Sequence, residues 1–579
     1  MCIAAGYGHG MALEPESGLP HADGRIPFTF RIGVTGHREL AKPDDLREQI
    51  RQALVRLLTL ARIAPGAGLA LVAVSALAEG ADRLVAEVVL DAGDDQLVLT
   101  DVLDAGDEQV VVERILGDVD ARLEVALPLA VGDYLEDFKT EESREDFRRL
   151  LARASDIWQA PAGLEPEEAY ERAGHYVVDR CDAIIAVWDG EKSRGRGGTA
   201  QIVGYAQEQG VPIAWVHTAG GPPVSYALEN KRAEVVKAAA EKLRRYNAAE
   251  ISKPKFDEHE RALREDLMPD IAREIPVDPL ALSREMIADW VFPYFIRADI
   301  LALRYQRWFQ WLSLTIFALA ALAVAVVAVQ TNFWPERNWL AAFEVLFLWA
   351  LLGILMMNRR RRLHDQWISS RFLAERLRSS YFLALARTGD RRGRSSRLAY
   401  LSDSSEAWIE RALTEVSAHR PEAGMEVPPV RALRDYLSRY WVDRQIYYHQ
   451  KSSRRQHRLE YRLTRLTEFL FSVTLVAAFV HIFAGTIHSS WERSLVVVSI
   501  VIPAFGAAVH GFSTQRQFRR HGERYRRMAG VLAQVQTELT DATTIEQIQG
   551  AAAATEQIMR EENSDWFGVM RFHDMELIT

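Results

Sequence analysis

Cysteine is almost missing from this chain of 579 residues, which holds only Cys2 and Cys181. One lies in a leader rich in Gly, His and Pro and the other at the edge of an expected strand, so neither a disulfide framework nor a metal cluster follows, and a reducing compartment fits. The leader, Met1–Pro27, also lacks the basic start and apolar run of a signal peptide, and the N-terminal part is therefore expected to stay in the cytoplasm. An excess of positive charge is lacking too: 70 Lys and Arg stand against 79 Asp and Glu, a formal net charge of -9. Polyanions want basic grooves, so nucleic acid is not an expected partner.

Charge is absent from four windows, Phe309–Val329, Trp339–Met357, Phe469–Ile487 and Leu495–Phe512, or nearly so. Each is about 18 to 21 residues long, the thickness of a bilayer core. Helix breakers are absent over longer stretches. Tyr294–Trp334, Ile354–Thr388 and Val430–Ala484 contain neither Gly nor Pro, which predicts single helices running through the first three spans into stalks, about 50 Å long on the first two at 1.5 Å per residue. The arrangement repeats: "WISSRFLAERLRSSYFLALA" follows the first hairpin and "RRHGERYRRMAGVLAQVQTEL" the second, alike in pattern rather than identity. Arg304, Arg307 and Arg359–Arg362 flank the first pair, and Arg454, Arg455, Arg458, Arg462, Arg465, Arg516, Arg519 and Arg520 the second, whereas the tips "TNFWPERN" and "HSSWERS" hold one Arg and one Glu each. Short basic loops stay inside, so all ends are expected to face the cytoplasm, in a multi-pass protein of the bacterial inner membrane. His481 near the middle of the third span is costly there and is a functional candidate or an interhelical hydrogen-bonding group. Glu344 and His510 lie near span ends, and Pro503 is expected to bend the fourth span.

What is present before the spans is an alternation of apolar runs and helical periods. "FTFRIGVTG", "LALVAVSAL", "ARLEVALPL", "CDAIIAVWDG" and "VPIAWVHT" read as strands, joined by "DDLREQIRQALVRLLTLARI", "ADRLVAEVVLDA" and "TAQIVGYAQEQG" as helices. The expected fold class is therefore a doubly wound, Rossmann-like α/β domain followed by an all-α membrane domain of four transmembrane helices in two hairpins. The divisions fall at 1–27 for the leader, 28–218 for the α/β domain, 219–280 for a charged, solvated helical connector, 281–390 and 430–545 for the two hairpins with stalks, 391–429 for a connector between them, and 546–579 for a C-terminal helix and tail.

Ligands on such sheets bind beyond the carboxyl ends of the strands, where three loops converge. In "GVTGHREL", Gly33 and Gly36 permit close backbone approach, Thr35 offers a hydroxyl, and His37 and Arg38 donate to an anion, although an ordinary strand-to-helix turn explains a Gly-x-x-Gly as well. In "SALAEGADRL", Ser75 ends a strand and Glu79, Gly80, Asp82 and Arg83 open a helix, with Asp82 readable as cap or as ligand contact. In "DGEKSRGRGGTA", Gly195, Gly197, Gly198 and Thr199 precede a helix whose free N–H groups suit a phosphate, a flexible loop being the plainer reading.

In that order, "VTGHRE", "EGADRL" and "GRGGTAQIVGYA" make Phe28–Thr218 resemble the SLOG superfamily, the Rossmann-like group that includes the Lonely Guy phosphoribohydrolases and Smf/DprA-type proteins. The resemblance implies a nucleotide-derived ligand and no further cofactor. The family's enzymes use Gly-Gly-x-Gly-Thr-x-x-Glu, whose Glu assists cleavage of an N-glycosidic bond; the matching position here is Ile202. Binding without turnover is thus the expectation, and a membrane-anchored hydrolase using Glu79, Asp82 or Asp189 is the alternative. A scaffold that has lost its ligand is a third. "RADILALRYQRW", "RFLAERLRSSY" and "ERYRRMA" resemble SLATT modules, two-helix membrane effectors of bacterial conflict systems. That resemblance implies a homo-oligomeric effector that opens the bilayer when a nucleotide signal is sensed, as during phage infection, with the stalks rather than the connector expected to carry the response.

Overall fold

The computed structural model describes residues 23–60, 68–94, 98–105, 108–115, 119–191, 197–218, 224–227, 230–268, 279–388, 404–421, 428–484 and 491–571. The first part is the expected α/β domain. Its strands are β1 (Phe28–Gly36), β2 (Leu69–Ser75), β3 (Val98–Ala105), β4 (Glu108–Ile115), β5 (Val119–Leu127), β6 (Asp156–Gln159), β7 (Ala183–Trp188), β8 (Ile213–His217) and β9 (Val224–Ala227). Seven of them form one sheet in the order β6-β5-β2-β1-β7-β8-β9, parallel throughout except for the last pair. Helices α1 (Pro43–Leu60), α2 (Ala81–Asp94), α3 (Val131–Glu136), α4 (Glu141–Leu151), α5 (Pro166–Arg180) and α6 (Thr199–Glu208) connect them. β2 is buried from end to end and β1 up to Thr35, as their near-continuous apolar runs require of strands covered on both faces. Four strands stand beyond the five expected: β6 and β9 close the sheet's edges, and β3 pairs antiparallel with β4 outside it. The chain builds outward from β1 to β2, β5 and β6, then returns to place β7 on the other side of β1. That reversal is the topological switch point.

The second part is all helical: α7 (Lys231–Ala248), α8 (Lys253–Leu267), α9 (Ala281–Phe333), α10 (Ala341–Arg361), α11 (Leu363–Leu385), α12 (Ser404–Ala418), α13 (Val430–Leu437), α14 (Asp443–Ala484), α15 (Trp491–Arg516), α16 (Phe518–Asp541) and α17 (Ile545–Arg571). Four helical stretches are long and apolar enough to cross a membrane: Ala281–Phe333, Asn338–Arg361, Val430–Ile482 and Trp491–Asp541. Packing runs from α10 to α9, from α9 to α15 and from α15 to α14. Gly511 permits the central contact, since a Cβ there would lie 2.7 Å from the Phe317 ring. The two outer helices turn large apolar side chains outward, among them Trp349 on α10 and Phe471 and Ile482 on α14.

Two expectations about the spans are corrected. The first stalk begins at Ala281 rather than Tyr294 and carries Pro293 inside it. Trp290, Val291, Phe292 and Tyr294 are all buried, and their packing holds the turn that proline weakens. The second span does not continue unbroken into its stalk. Arg362 takes a left-handed conformation, φ 47°, between α10 and α11, and Gln517 does the same, φ 45°, between α15 and α16. A non-glycine residue there costs about 1 to 2 kcal/mol. Each bend lays its stalk back on its partner, and burying even one large apolar side chain offsets it at about 1.5 to 3 kcal/mol; Trp367, Ile368 and Phe372 are buried on α11, Met528 and Leu532 on α16. At one constant offset the buried Leu363, Leu373, Ala374 and Leu377 correspond to the buried Phe518, Met528, Ala529 and Leu532, so the hairpin repeat extends through bend and stalk.

The connector is helical but not solvated along its length. α7 buries Val235, Val236, Ala239, Ala240, Leu243 and Tyr246, and its end is capped by Arg297 of α9, whose Nη2 donates to the carbonyls of Tyr246, Asn247 and Ala249 at 3.0, 2.7 and 2.7 Å. α12 lies against the starts of the central strands. Trp290 Nε1 of α9 donates to the Val416 carbonyl at 2.7 Å, Thr29 Oγ1 to Glu415 at 2.5 Å, and Arg411 pairs with Asp182.

Candidate functional site

At the carboxyl edge of the sheet the loop after β1 is clamped between its neighbours. His37 N donates to the Val187 carbonyl at 3.0 Å, and the His37 carbonyl accepts from Ala81 N at 3.0 Å. Two glycines make this possible. A Cβ on Gly36 would lie 2.4 Å from the Ala81 Cβ, and one on Gly80, at φ 79°, would lie 2.4 Å from the Arg38 carbonyl oxygen. His37 Nε2 lies 3.0 Å from Asp189 Oδ1 beyond β7 and 3.2 Å from Asp189 N. The Glu191 N–H that Asp189 accepts at 2.9 Å holds its carboxyl below the usual range, with His37 adding to the effect.

Asp82 is buried under the loop after β2. Desolvation pushes its carboxyl up to about 7, against the N–H groups of Ala78 and Ala76, Arg38 and the Ser75 hydroxyl, which pull it down. Ser75 Oγ itself accepts from Leu77 N at 3.0 Å and donates to the Asp82 carbonyl at 3.1 Å, and Leu77 is held at φ 56°. Asp82 thus organises this loop from within. Glu79 accepts from Ser143 Oγ at 2.5 Å. Arg83 donates to the Leu77 carbonyl at 3.1 Å and to Ser143 O and Oγ at 2.8 and 2.9 Å, and lies 4.5 Å over the Phe138 ring.

The third loop reaches the same place through Tyr170 of α5. Gly197, at φ 80°, leaves only 3.0 Å between a Cβ and the Tyr170 Cβ, while the Arg38 guanidinium sits 5.8 Å from the Tyr170 ring, whose hydroxyl meets Asp137. Gly198 is the N-cap of α6 and no side chain caps that helix, so its first N–H groups are open to an anion. Gln201 Oε1 accepts from Gly197 N at 2.8 Å and its Nε2 donates to Glu171 at 2.6 Å.

The structure therefore gathers Gly36, His37, Arg38, Glu79, Gly80, Arg83, Asp189, Gly197, Gly198 and Thr199 around one edge, with Ser75, Asp82 and the buried Thr35 beneath. Gly33 is elsewhere, three residues earlier on β1, where a Cβ would strike the Cys181 Sγ at 2.8 Å. Gly195 lies outside the described residues. Ile202 is buried against Gly174 and belongs to the core under β7 and β8. Tyr170, Glu171, Gln201, Asp137 and Ser143 were not legible as site residues, because α3, α4 and α5 reach the loops only through the fold. Among the described residues, Asp120, Glu415 and His419 have a spacing that suits a metal, but the Arg122 guanidinium reaches all three and takes the place a cation would occupy.

Fold and site together describe a chain with four helical stretches long and apolar enough to cross a membrane and an α/β domain whose three loops meet at one sheet edge beside the uncapped start of α6. Residues 436–566, covering α14, α15, α16 and most of α17, match the family described as SMODS and SLOG-associating 2TM effector domain 1, SLATT_1. This segment is the second hairpin with both stalks. No curated protein matches the chain.

Proposed function

We propose that the chain is a membrane effector of a bacterial conflict system, in which the α/β domain senses a nucleotide-derived ligand and the hairpins then open the bilayer in defence against phage. The observation that carries this reading is the meeting of the three loops at the switch point between β1 and β7, with the uncapped start of α6 facing them. A phosphate suits the N–H groups at Gly198 and Thr199, and the carboxylates of Asp189 and Glu171 suit sugar hydroxyls. Because Ile202 packs inward, no carboxylate stands at the position from which the resembling hydrolases act, which favours binding over turnover. The outward apolar faces of α10 and α14 suit contact with lipid, and assembly of several copies in the membrane is part of the proposal. The basic stalks favour a cytoplasmic sensor and termini.

The test uses the full chain in liposomes loaded with a self-quenching dye. A panel of mono-, di- and cyclic nucleotides is added, and dye release, melting temperature and ligand integrity are followed. Release with intact ligand is expected for one of them. Stabilisation accompanied by free base would favour the hydrolase instead, and no response to any nucleotide would remove the sensor reading.

A further inference from the structure

We propose that a cavity between the two hairpin stalks is a second ligand site, distinct from the sheet edge and independent of it, for a small molecule with a planar heteroaromatic ring and a single phosphate group, as in a nucleoside monophosphate.

The cavity lies among α9, α11, α14, α16 and α17 and has a volume of about 340 Å³, within the range of pockets that hold small ligands. One wall is a stripe on α14, Gln445, His449, Ser452 and Gln456, whose spacing of four, three and four puts all of them on one helix face. Gln445 and His449 are 3 % and 5 % exposed. Gln445 Nε2, His449 Nδ1 and Gln456 Oε1 are nonetheless buried without a hydrogen-bond partner. Buried polar atoms are normally paired, and three orphans along a single stripe, all lining one hollow, point to an occupant that pairs them.

The surrounding groups select its chemistry. Trp367 and Tyr525 provide flat apolar walls, the Tyr525 ring centroid lying 5.6 Å from that of His449, an environment in which a planar ring stacks. Two carboxamides and an imidazole offer donors and acceptors in either sense, as the edge of a nucleobase requires. The charges largely cancel: Arg371 pairs with Glu375 and Arg524 with Glu562 at 2.6 Å. Arg455, exposed at the rim, is left without an ion-pair partner among the described residues. One unpaired cation at the rim suits one phosphate group, whereas a triphosphate would bring more negative charge into this hollow than Arg455 offsets.

A narrower cavity of about 90 Å³ shares Gln306, Trp367, Gln456, His521 and Tyr525 with the first and continues to Phe309 and Gln515. There Gln515 accepts from Ser313 Oγ at 3.0 Å, where α9 and α15 enter their apolar stretches. An occupant would therefore bridge the two hairpins beside the helices that cross the membrane.

Equilibrium dialysis of the full chain in nanodiscs with labelled AMP, GMP, CMP and UMP tests this, with adenosine, ATP and inorganic phosphate as comparisons. At least one monophosphate is expected to bind once per chain, more tightly than its nucleoside and than ATP, and equally well to Gly198→Asp. Gln445→Leu with Gln456→Leu should weaken it at least about tenfold, with the melting temperature kept because the orphaned polar atoms are removed. Ser452→Phe, which fills the hollow from the partly exposed side, provides a second route to the same loss. Arg455→Gln should bring the monophosphate's affinity to that of the nucleoside. Binding lost in Gly198→Asp and untouched by the cavity variants overturns the proposal, as does retention of none of the four monophosphates, a hydrated cavity only, or equal binding of phosphate alone.

Discussion

Arg411 of α12 forms a two-pronged pair with Asp182, the residue that precedes β7, and both side chains are shut away from solvent. Asp182 also accepts from Arg31 N of β1 at 2.8 Å. Alongside, Glu124 takes Arg31 at 3.1 Å and Arg180 at 2.6 Å; burial works against its charge, but the two arginines hold its carboxyl below the usual range. The helical part thus grips the starts of the same two strands whose ends form the candidate site. A ligand that moves β1 against β7 would be felt at α12, and so at α9 through Trp290.

Removing one member of the Arg411–Asp182 pair strands a buried charge, so Arg411→Leu or Asp182→Leu should each cost about 3 to 5 kcal/mol. The double Leu variant should cost less than the two together. Denaturation of all three in detergent checks this coupling, and additive losses would show that the pair does not act as a unit.

Gly198 has φ -72°, open to any residue, and aspartate is a preferred N-cap. Gly198→Asp should leave stability unchanged or raise it by a few tenths of a kcal/mol, while its carboxylate occupies the N–H groups meant for an anion. Loss of binding at the sheet edge with an unaltered melting temperature is expected in a thermal-shift titration. By contrast, Gly36→Ala should be destabilising by about 1 to 3 kcal/mol, since its Cβ meets Ala81 and the Val187 carbonyl.

Asp82 should make stability fall as pH rises. Its folded carboxyl titrates near 7 rather than at the ordinary 3.8, so between those values the folded state holds a proton that the unfolded state has released. The contribution is complete below about pH 4 and lost above about pH 7, up to about 4 kcal/mol at about 1.4 kcal/mol per pH unit. Asp82→Asn should flatten this part of the curve and gain relative to the parent above pH 7. Parallel pH–melting curves for the two would refute it.

Arg362 and Gln517 both occupy a conformation that glycine adopts freely. Arg362→Gly and Gln517→Gly should preserve the bends and stabilise by about 0.5 to 1 kcal/mol after the added freedom of the unfolded chain is counted. Valine at either place favours a straight helix and should cost at least about 1 kcal/mol. Denaturation midpoints give both signs. If the bends transmit the signal, the valine variants should also lose ligand-triggered dye release while keeping ligand binding.

Much of this molecule is written locally. The four apolar stretches follow from runs of side chains without charge, and the central strands from runs such as "RIGVTG" and "AIIAVW", because hydropathy and helical or strand period depend on neighbours two to four residues away. Gly36, Gly80 and Gly197 are legible for the same reason: each marks backbone where a Cβ would meet a neighbouring segment. Gln201 and Glu171 are not, since their use depends on α5 lying beside α6. Nor are the bends, which fall in stretches free of Gly and Pro and exist because stalk burial outweighs a local penalty. The remaining decisions belong to tertiary structure. Thr29 meets Glu415 across 386 positions, burial under the loop after β2 raises the Asp82 carboxyl, and the α14 stripe becomes a cavity wall only when α11 and α16 stand opposite. Whether a charge is paired, desolvated or left facing a hollow depends on groups far away in the chain, and no local pattern carries that information.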